Sequence, residues 1–161
     1  TFLKDVLERI NEGLGKTREE LRRTLASSFL VSCDNAHAVH PNHPEKTDQS
    51  NCVYMNEGIV IKSHAGQQYT SDAFSIAVWR GVCERAGVPV QFFANRSDMR
   101  GGSTLGNIAM SQVSMNAVDI GLAQLAMHSS YETAGVRDSE YMIRAVKAFF
   151  DSGICEYTLG R

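Results

Sequence analysis

The sequence lacks the features that define several large protein classes. No apolar run in the 161 residues approaches the roughly 20 residues of a membrane-spanning helix, and the first residues do not form a signal peptide, so we expect no membrane partner. There is no basic stripe, because 16 Lys and Arg are interspersed with 18 Asp and Glu for a net charge of −2, which argues against a nucleic-acid partner. Cysteines are few and scattered, without a Cys-x-x-Cys pair or a dense secreted pattern, which favours reduced thiols and a cytoplasmic location. They are Cys33, Cys52, Cys83 and Cys155.

The order of hydrophobic patterns predicts the fold class. Hydrophobic residues make up 43% of the chain, enough for one domain with a proper core. Short apolar runs predict strands and amphipathic stretches predict helices. The predicted strands are 28–33, 58–62, 90–94 and 117–121, and the predicted helices are 2–12, 17–25, 71–86, 103–115 and 137–151. Their alternation predicts an α/β fold with a mostly parallel sheet sandwiched by helices.

Helical spacing also predicts which side chains face the core. In the third and fifth helices these are Phe74, Ala77, Val78, Val82 and Cys83, then Met142, Val146, Phe149 and Phe150. No linker interrupts the chain, so we expect residues 1–161 to belong to a single domain.

Polar groups follow three of the predicted strands. Asp34 follows the first strand, the loop 98–106 follows the third, and His128 lies a few residues past the fourth. Sites in α/β sheets form beyond the carboxyl ends of strands, so these groups are candidates for one site. A carboxylate and an imidazole suit zinc or manganese, although zinc normally takes at least three protein ligands.

Three histidines, His37, His40 and His43, follow Asp34 at intervals of three. This spacing would stack them on a helix, but Pro41 and Pro44 within the run disfavour one. Two hypotheses stay open: His40 and His43 lie in a turn and bond to backbone or water, or the three histidines bind zinc.

Two further features each allow two interpretations. The run Gly101-Gly102-Ser103-Thr104 before a helix could present backbone N–H groups to an anion, or it could be a tight turn and helix cap. Lys62, at the end of an apolar strand, could bind an anion or could reach for solvent.

Four motifs in order and spacing carry a resemblance to a known family. They are SCDNAHAVHPN, GIVIK, NRSDMRGGSTLGN and VDIGLAQLAMHS. They resemble the carboxy-terminal part of the aspartyl aminopeptidases, dinuclear-zinc metallo-exopeptidases with a zinc-peptidase-like α/β catalytic domain. The resemblance runs from about residue 29 to 150. It implies that residues 1–161 are the carboxy-terminal part of a single metallo-aminopeptidase catalytic domain, with two zinc ions per complete active site and a large homo-oligomer.

The resemblance also implies roles for individual residues. Asp34 matches a terminal carboxylate ligand of one zinc, and His128 matches the imidazole ligand of the other. On this basis His40 is structural and His43 is an exposed loop residue. The implied substrate-binding residues are His37, Lys62 (facing the acidic side chain of the first substrate residue), Gly102, Ser103, Thr104 and Met127.

The family's other metal ligands and its general-base glutamate precede the matched region, and Glu19-Glu20 fits a helix start instead. We therefore expect that these residues alone do not catalyse hydrolysis. The leading hypothesis is an aminopeptidase that removes amino-terminal Asp or Glu from peptides with zinc-activated water. The alternatives are a neutral-residue aminopeptidase of the same family, and a non-catalytic fragment or scaffold subunit.

Overall fold

The computed structural model describes residues 1–154, so Cys155 lies outside the described residues. The helices are α1 (Phe2–Gly13), α2 (Arg18–Ala26), α3 (Ala73–Ala86), α4 (Leu105–Met110) and α5 (Val136–Asp151). The strands are β1 (Phe29–Cys33), β2 (Ala36–His37), β3 (Ile59–Ser63), β4 (Val90–Ala94), β5 (Asn116–Gly121), β6 (Ala123–Leu125) and β7 (Thr133–Ala134). The alternation of strands and helices confirms the predicted α/β class.

Four strands form the main sheet, in the order β1-β5-β3-β4. The outer pairings β1–β5 and β3–β4 are parallel, as predicted for most of the sheet, whereas the central pairing β3–β5 is antiparallel. The sheet therefore consists of two parallel pairs that run in opposite directions. As a result, the carboxyl ends of the strands do not all meet at one edge.

The two faces of this sheet bury different partners. On one face, Ile61 and Ile120 pack with Trp79 of α3 and Ala145 of α5 in the larger apolar core. On the other face, α4 packs on β1 and β5, and Val60 joins a smaller apolar cluster that also includes residues of β2, β4 and β6. Helices thus cover both faces, and the second face also carries the polar groups that follow the strands.

A second, three-stranded sheet has the order β2-β6-β7. Ala36 pairs with Ala123 and His37 with Gln124 in parallel, and β7 runs antiparallel to β6. This sheet places the segment after Asp34 beside the segment that leads to His128. The sequence did not predict it, because strands of two or three residues are too short to show a period.

Helix caps agree with the sequence more closely than helix faces do. Thr17 and Glu20 form the predicted capping box of α2, and Asp72 caps α3. The predicted inward positions Phe74 and Phe150 are wrong, since these side chains are 45% and 78% exposed.

Ala77 is exposed as well, so its predicted inward position is also wrong. In α3 the core face is built instead on Ser75, Trp79, Val82 and Cys83. Helix α4 covers only Leu105–Met110 of the predicted 103–115, because the chain enters a turn at Ser111.

Within the described residues, no helix is both long enough and apolar enough to cross a membrane.

Candidate functional site

One pocket of about 390 Å³ collects the predicted site residues from separate parts of the chain. Seven of them line it: Asp34, His37, Lys62, Gly102, Ser103, Met127 and His128. Thr104 does not line the pocket. It is buried, and its hydroxyl donates a hydrogen bond to Asp119 Oδ2 over 2.8 Å.

Lys62 and Asp34 form an ion pair at the floor of this pocket. Lys62 is buried on β3, and its ammonium donates to the backbone oxygens of Asp34 and Asn35, each at 3.1 Å, and to Asp34 Oδ2 at 3.3 Å. These three acceptors match the three protons of an ammonium group. Burial lowers the pKa of Lys62, while the negative charges of Asp34 and Asp119 act in the opposite direction. Lys62 is therefore a fixed group that points at Asp34, which excludes the hypothesis that it reaches for solvent.

His37 is the last residue of β2, and His128 follows β6, which runs parallel to β2. Both histidines line the same pocket. Burial is the main cause that lowers the pKa of His37, and the nearby His128 and Lys62 lower it further, whereas Asp34 raises it. His128, Lys62 and Asp34 therefore act on His37 within the pocket that all four residues line.

The loop that carries His128 has an uncommon backbone conformation. Ala126 and His128 have φ angles of 55° and 66°, in the left-handed region that few residues other than glycine adopt. The backbone N–H of His128 donates to Glu132 Oε1 over 2.7 Å, which helps to hold this conformation. Such local strain is often found at functional sites.

The neighbouring histidines belong to a turn at the rim of the pocket. His40 Nδ1 accepts a hydrogen bond from the backbone N–H of Asn42 at 3.2 Å, and His43 Nδ1 lies 3.2 Å from Glu45 Oε1. These contacts fit the turn hypothesis for His40 and His43.

The donor atoms of the pocket fit part of a zinc centre. Asp34 supplies a carboxylate and His128 an imidazole, both of which are common zinc ligands. No group of three or more His, Cys, Asp or Glu in residues 1–154 has an arrangement that could hold a metal ion.

The glycine-rich loop forms part of the pocket wall and ends at the N-cap of α4. A side chain at Gly101 would overlap the Asn95 amide, whereas one at Gly102 would meet nothing within 4 Å. Thr104 is the N-cap of α4, where its side chain accepts a hydrogen bond from the backbone N–H of Asn107. The helix-cap interpretation is therefore confirmed for Thr104, and Gly102 and Ser103 remain on the pocket surface.

Sequence reasoning missed several residues that build this pocket. Asn35 bridges two chain segments, since its side chain accepts from Leu122 N–H and donates to Gln124 Oε1. Tyr69 places its ring 4.7 Å from the Lys62 ammonium. The sequence gives no periodic signal for such contacts, which join residues far apart in the chain.

Comparison with known proteins decides the family. Residues 1–150 match the family described as aminopeptidase I zinc metalloprotease (M18). The chain belongs to the M18 family. This confirms the resemblance to the metallo-aminopeptidases that the four sequence motifs carry.

Similar proteins occur in several bacteria. The chain is 49% identical over 150 residues to a probable M18 family aminopeptidase 2 of Clostridium acetobutylicum, which covers 93% of this chain and 35% of that protein. It is 41% identical over 155 residues to a probable M18 family aminopeptidase 2 of Mycobacterium tuberculosis, covering 96% and 36%. The chain thus spans about a third of the length of the curated relatives that it matches.

Solved structures show the same fold. The cryo-EM structure of the Ape4 and Nbr1 complex contains a chain that matches with a TM-score of 0.93 and 38% identity, over 99% of this chain and 30% of that chain. The S. cerevisiae mApe1 dodecamer matches with a TM-score of 0.80 and 26% identity, over 96% and 34%.

Proposed function

We propose that this chain is the carboxy-terminal part of a metallo-aminopeptidase catalytic domain that removes amino-terminal residues from peptides. The observation that carries the proposal is the convergence of Asp34, Lys62 and His128 on one pocket in a chain of the M18 family. The pocket is concave and combines apolar with charged lining groups, as small-ligand and peptide-end sites usually do.

Asp34 and His128 are the proposed zinc ligands, each holding a different ion of a pair. Bound zinc would supply Lewis acidity that activates water for attack on a peptide carbonyl. Two contacts support this assignment from the side of the protein. Lys62 donates to the carbonyl oxygens of Asp34 and Asn35 and so fixes the backbone that carries Asp34, and the bond from His128 N–H to Glu132 fixes the His128 loop. Such supporting hydrogen bonds commonly orient metal ligands.

The proposed substrate contacts surround Lys62. His37, Gly102, Ser103 and Met127 line the pocket with it, so a peptide amino terminus bound there would meet all of them. We assign to Lys62 the selection of Asp or Glu at the first substrate position, because an ammonium pairs with a carboxylate. Its longest contact is with Asp34 Oδ2, and that acceptor is the one a metal ion bound at Asp34 would compete for.

Substitution of Lys62 tests the specificity in the purified natural protein. Lys62→Met keeps most of the side-chain volume and removes the charge. We expect kcat/KM to fall on the order of 100-fold for substrates with amino-terminal Asp or Glu, which corresponds to a lost charge-assisted hydrogen bond of about 3 kcal/mol. The fall in kcat/KM should be much smaller for substrates with a neutral first residue.

Lys46 provides the matched control, because it also lines the pocket but is exposed. Lys46→Met should lower kcat/KM for acidic substrates only slightly, and the size of the loss should depend on the salt concentration. Equal losses on acidic and neutral substrates in Lys62→Met would contradict charge selection by Lys62, and a higher kcat/KM of the unsubstituted protein on neutral substrates would support the neutral-residue aminopeptidase.

A homo-oligomer and a cytoplasmic location complete the proposal. The mApe1 neighbour is a dodecamer, and this chain leaves large apolar side chains exposed, among them Phe2 at 85% and Leu105 at 79%. In the proposed oligomer these side chains would lie at contacts with other protein. Cys33, Cys52 and Cys83 are free thiols, in keeping with a reducing compartment. Light scattering of the purified natural protein tests the oligomer, with a mass of a single chain as the contrary result.

A further inference from the structure

A buried carboxylate lies behind the pocket wall. Asp119, near the end of β5, is 0% exposed. Its Oδ2 accepts two hydrogen bonds, from the backbone N–H of Thr70 at 2.6 Å and from the hydroxyl of Thr104 at 2.8 Å. Its Oδ1 has no hydrogen-bond partner among the described residues. A buried charge is costly unless hydrogen bonds compensate it, so a carboxylate retained here with a single bonded oxygen calls for an explanation.

The two bonds join two segments that lead into the pocket. Thr70 directly follows Tyr69, and Thr104 directly follows Ser103, and both Tyr69 and Ser103 line the pocket. Asp119 thus ties two pieces of the pocket wall to the central strand at one oxygen atom. The segment before α3 has a second bond to the same residue, because the backbone N–H of Asp119 donates to Ser71 Oγ over 2.9 Å.

Close packing on α4 reinforces the bond to Thr104. A side-chain carbon at Gly106 would lie 2.7 Å from Ser32 Oγ and 2.9 Å from Asp119 Oδ1, so the first turn of α4 already lies directly on the sheet. The backbone N–H of Gly106 also donates to Ser32 Oγ at 3.1 Å. The bonds of Thr104 and Gly106 thus both hold the end of the glycine-rich loop that leads into α4.

We propose that Asp119 is a positioning residue for the peptide pocket, which acts through the Thr104 hydroxyl to fix the wall formed by residues 101–103 and through the Thr70 amide to fix Tyr69. This inference rests on the proposed aminopeptidase function for its kinetic consequences, but not for its structural ones. Asp119 does not line the pocket, and Thr104 accordingly contributes by holding Ser103 and Gly102 in place rather than by contacting the peptide.

The test compares Thr104→Val with Thr104→Ser in the purified natural protein. Valine keeps the shape of threonine and removes the hydroxyl, whereas serine keeps the hydroxyl. Backbone amide exchange across residues 101–104 should become at least about tenfold faster in Thr104→Val and stay near the unsubstituted rate in Thr104→Ser. The Michaelis constant for peptide substrates should rise on the order of tenfold in Thr104→Val, with bound zinc per chain unchanged, since misplaced positioning groups weaken productive binding.

Thr17→Val is the matched control. It makes the same substitution at another helix cap, whose partner is the exposed Glu20 instead of a buried carboxylate. It should change neither the exchange of residues 101–104 nor the Michaelis constant. If Thr104→Val does not fold, Thr104→Ala replaces it in the same comparisons.

Three results would overturn the inference: unchanged amide exchange in Thr104→Val, equal impairment in Thr104→Ser, or loss of zinc along with the kinetic change. If the unsubstituted protein shows no aminopeptidase activity, the proposed function fails, and the amide-exchange comparison still decides whether Asp119 holds the loop.

Discussion

Gly121, the last residue of β5, lies against the backbone that carries Asp34. A side-chain carbon at this position would overlap the Asp34 carbonyl oxygen and lie 2.7 Å from Asn35 Cα. These are backbone atoms, so no side-chain rotation relieves the overlap. The strand cannot move away cheaply, because Gly121 is also paired with Val60 of β3. Gly121→Ala should therefore displace the Asp34–Asn35 backbone.

The cost has two parts. Overpacking of this kind costs about 1–3 kcal/mol. The displaced Asp34 carbonyl also accepts from the buried Lys62 ammonium, and a lost hydrogen bond to a charged group costs about 1.5–3 kcal/mol. We expect Gly121→Ala to lower the free energy of unfolding by roughly 3 kcal/mol or more.

Urea denaturation of the purified natural protein measures this loss, with zinc content as a second readout. Gly13→Ala is the control, because Gly13 ends α1 and an added carbon there meets nothing within 4 Å. This control should be neutral or stabilise by up to about 1 kcal/mol, since alanine favours a helix over glycine. A free energy of unfolding for Gly121→Ala within about 0.5 kcal/mol of the unsubstituted protein would refute the argument, since that is the scatter of ordinary surface substitutions.

Two further predictions concern the glycine-rich wall and the buried thiol. Gly101→Ala should lower the midpoint temperature of unfolding, because the new carbon overlaps the Asn95 amide, whereas Gly102→Ala should not lower it. Differential scanning calorimetry measures both variants, and equal midpoints for the two would contradict this prediction. Cys83 should resist iodoacetamide at pH 8 while Cys52 reacts, because burial raises the pKa of Cys83 to about 12 and leaves a thiolate fraction of about 10⁻⁴. Peptide mapping checks this, and equal labelling of both cysteines in the folded protein would count against it.

The sequence predicted the strands of the main sheet well. Phe29–Cys33, Ile59–Ser63, Val90–Ala94 and Asn116–Gly121 all lie within one residue of their predicted bounds, because each is a short apolar run. The antiparallel pairing of β3 with β5 was not predictable in the same way. Both strands are buried, and a buried strand is apolar whether its neighbour runs parallel or antiparallel to it. Only long-range packing therefore decides the direction.

The prediction of which helix side chains face the core was partly wrong for a related reason. Phe74 and Phe150 have the spacing of core positions, yet both are exposed. Periodicity identifies an apolar face, and it does not tell whether that face packs on the helix's own sheet or on another surface. Trp79, which is fully buried, occupies the core position in α3 instead.

The candidate site was predictable where a residue type carries its own chemistry. Asp34, Lys62 and His128 were selected because carboxylate, ammonium and imidazole groups follow strands, and the structure brings them into one pocket. Asp119 was not selected, although it lies in the motif VDIGLAQLAMHS, because a polar residue inside an apolar strand gives no sign of its partners. Its partners Thr70 and Thr104 lie 49 and 15 residues away, a relation that only the fold creates.

The most direct test of the central claim is the zinc content of the purified natural protein and of two variants. If Asp34 and His128 hold different ions of a pair, the unsubstituted protein should bind about two zinc ions per chain, and Asp34→Ala and His128→Ala about one each. His43→Ala, at the exposed turn on the rim, should still bind about two. Full zinc content in both Asp34→Ala and His128→Ala would contradict the account, because neither residue would then be a ligand.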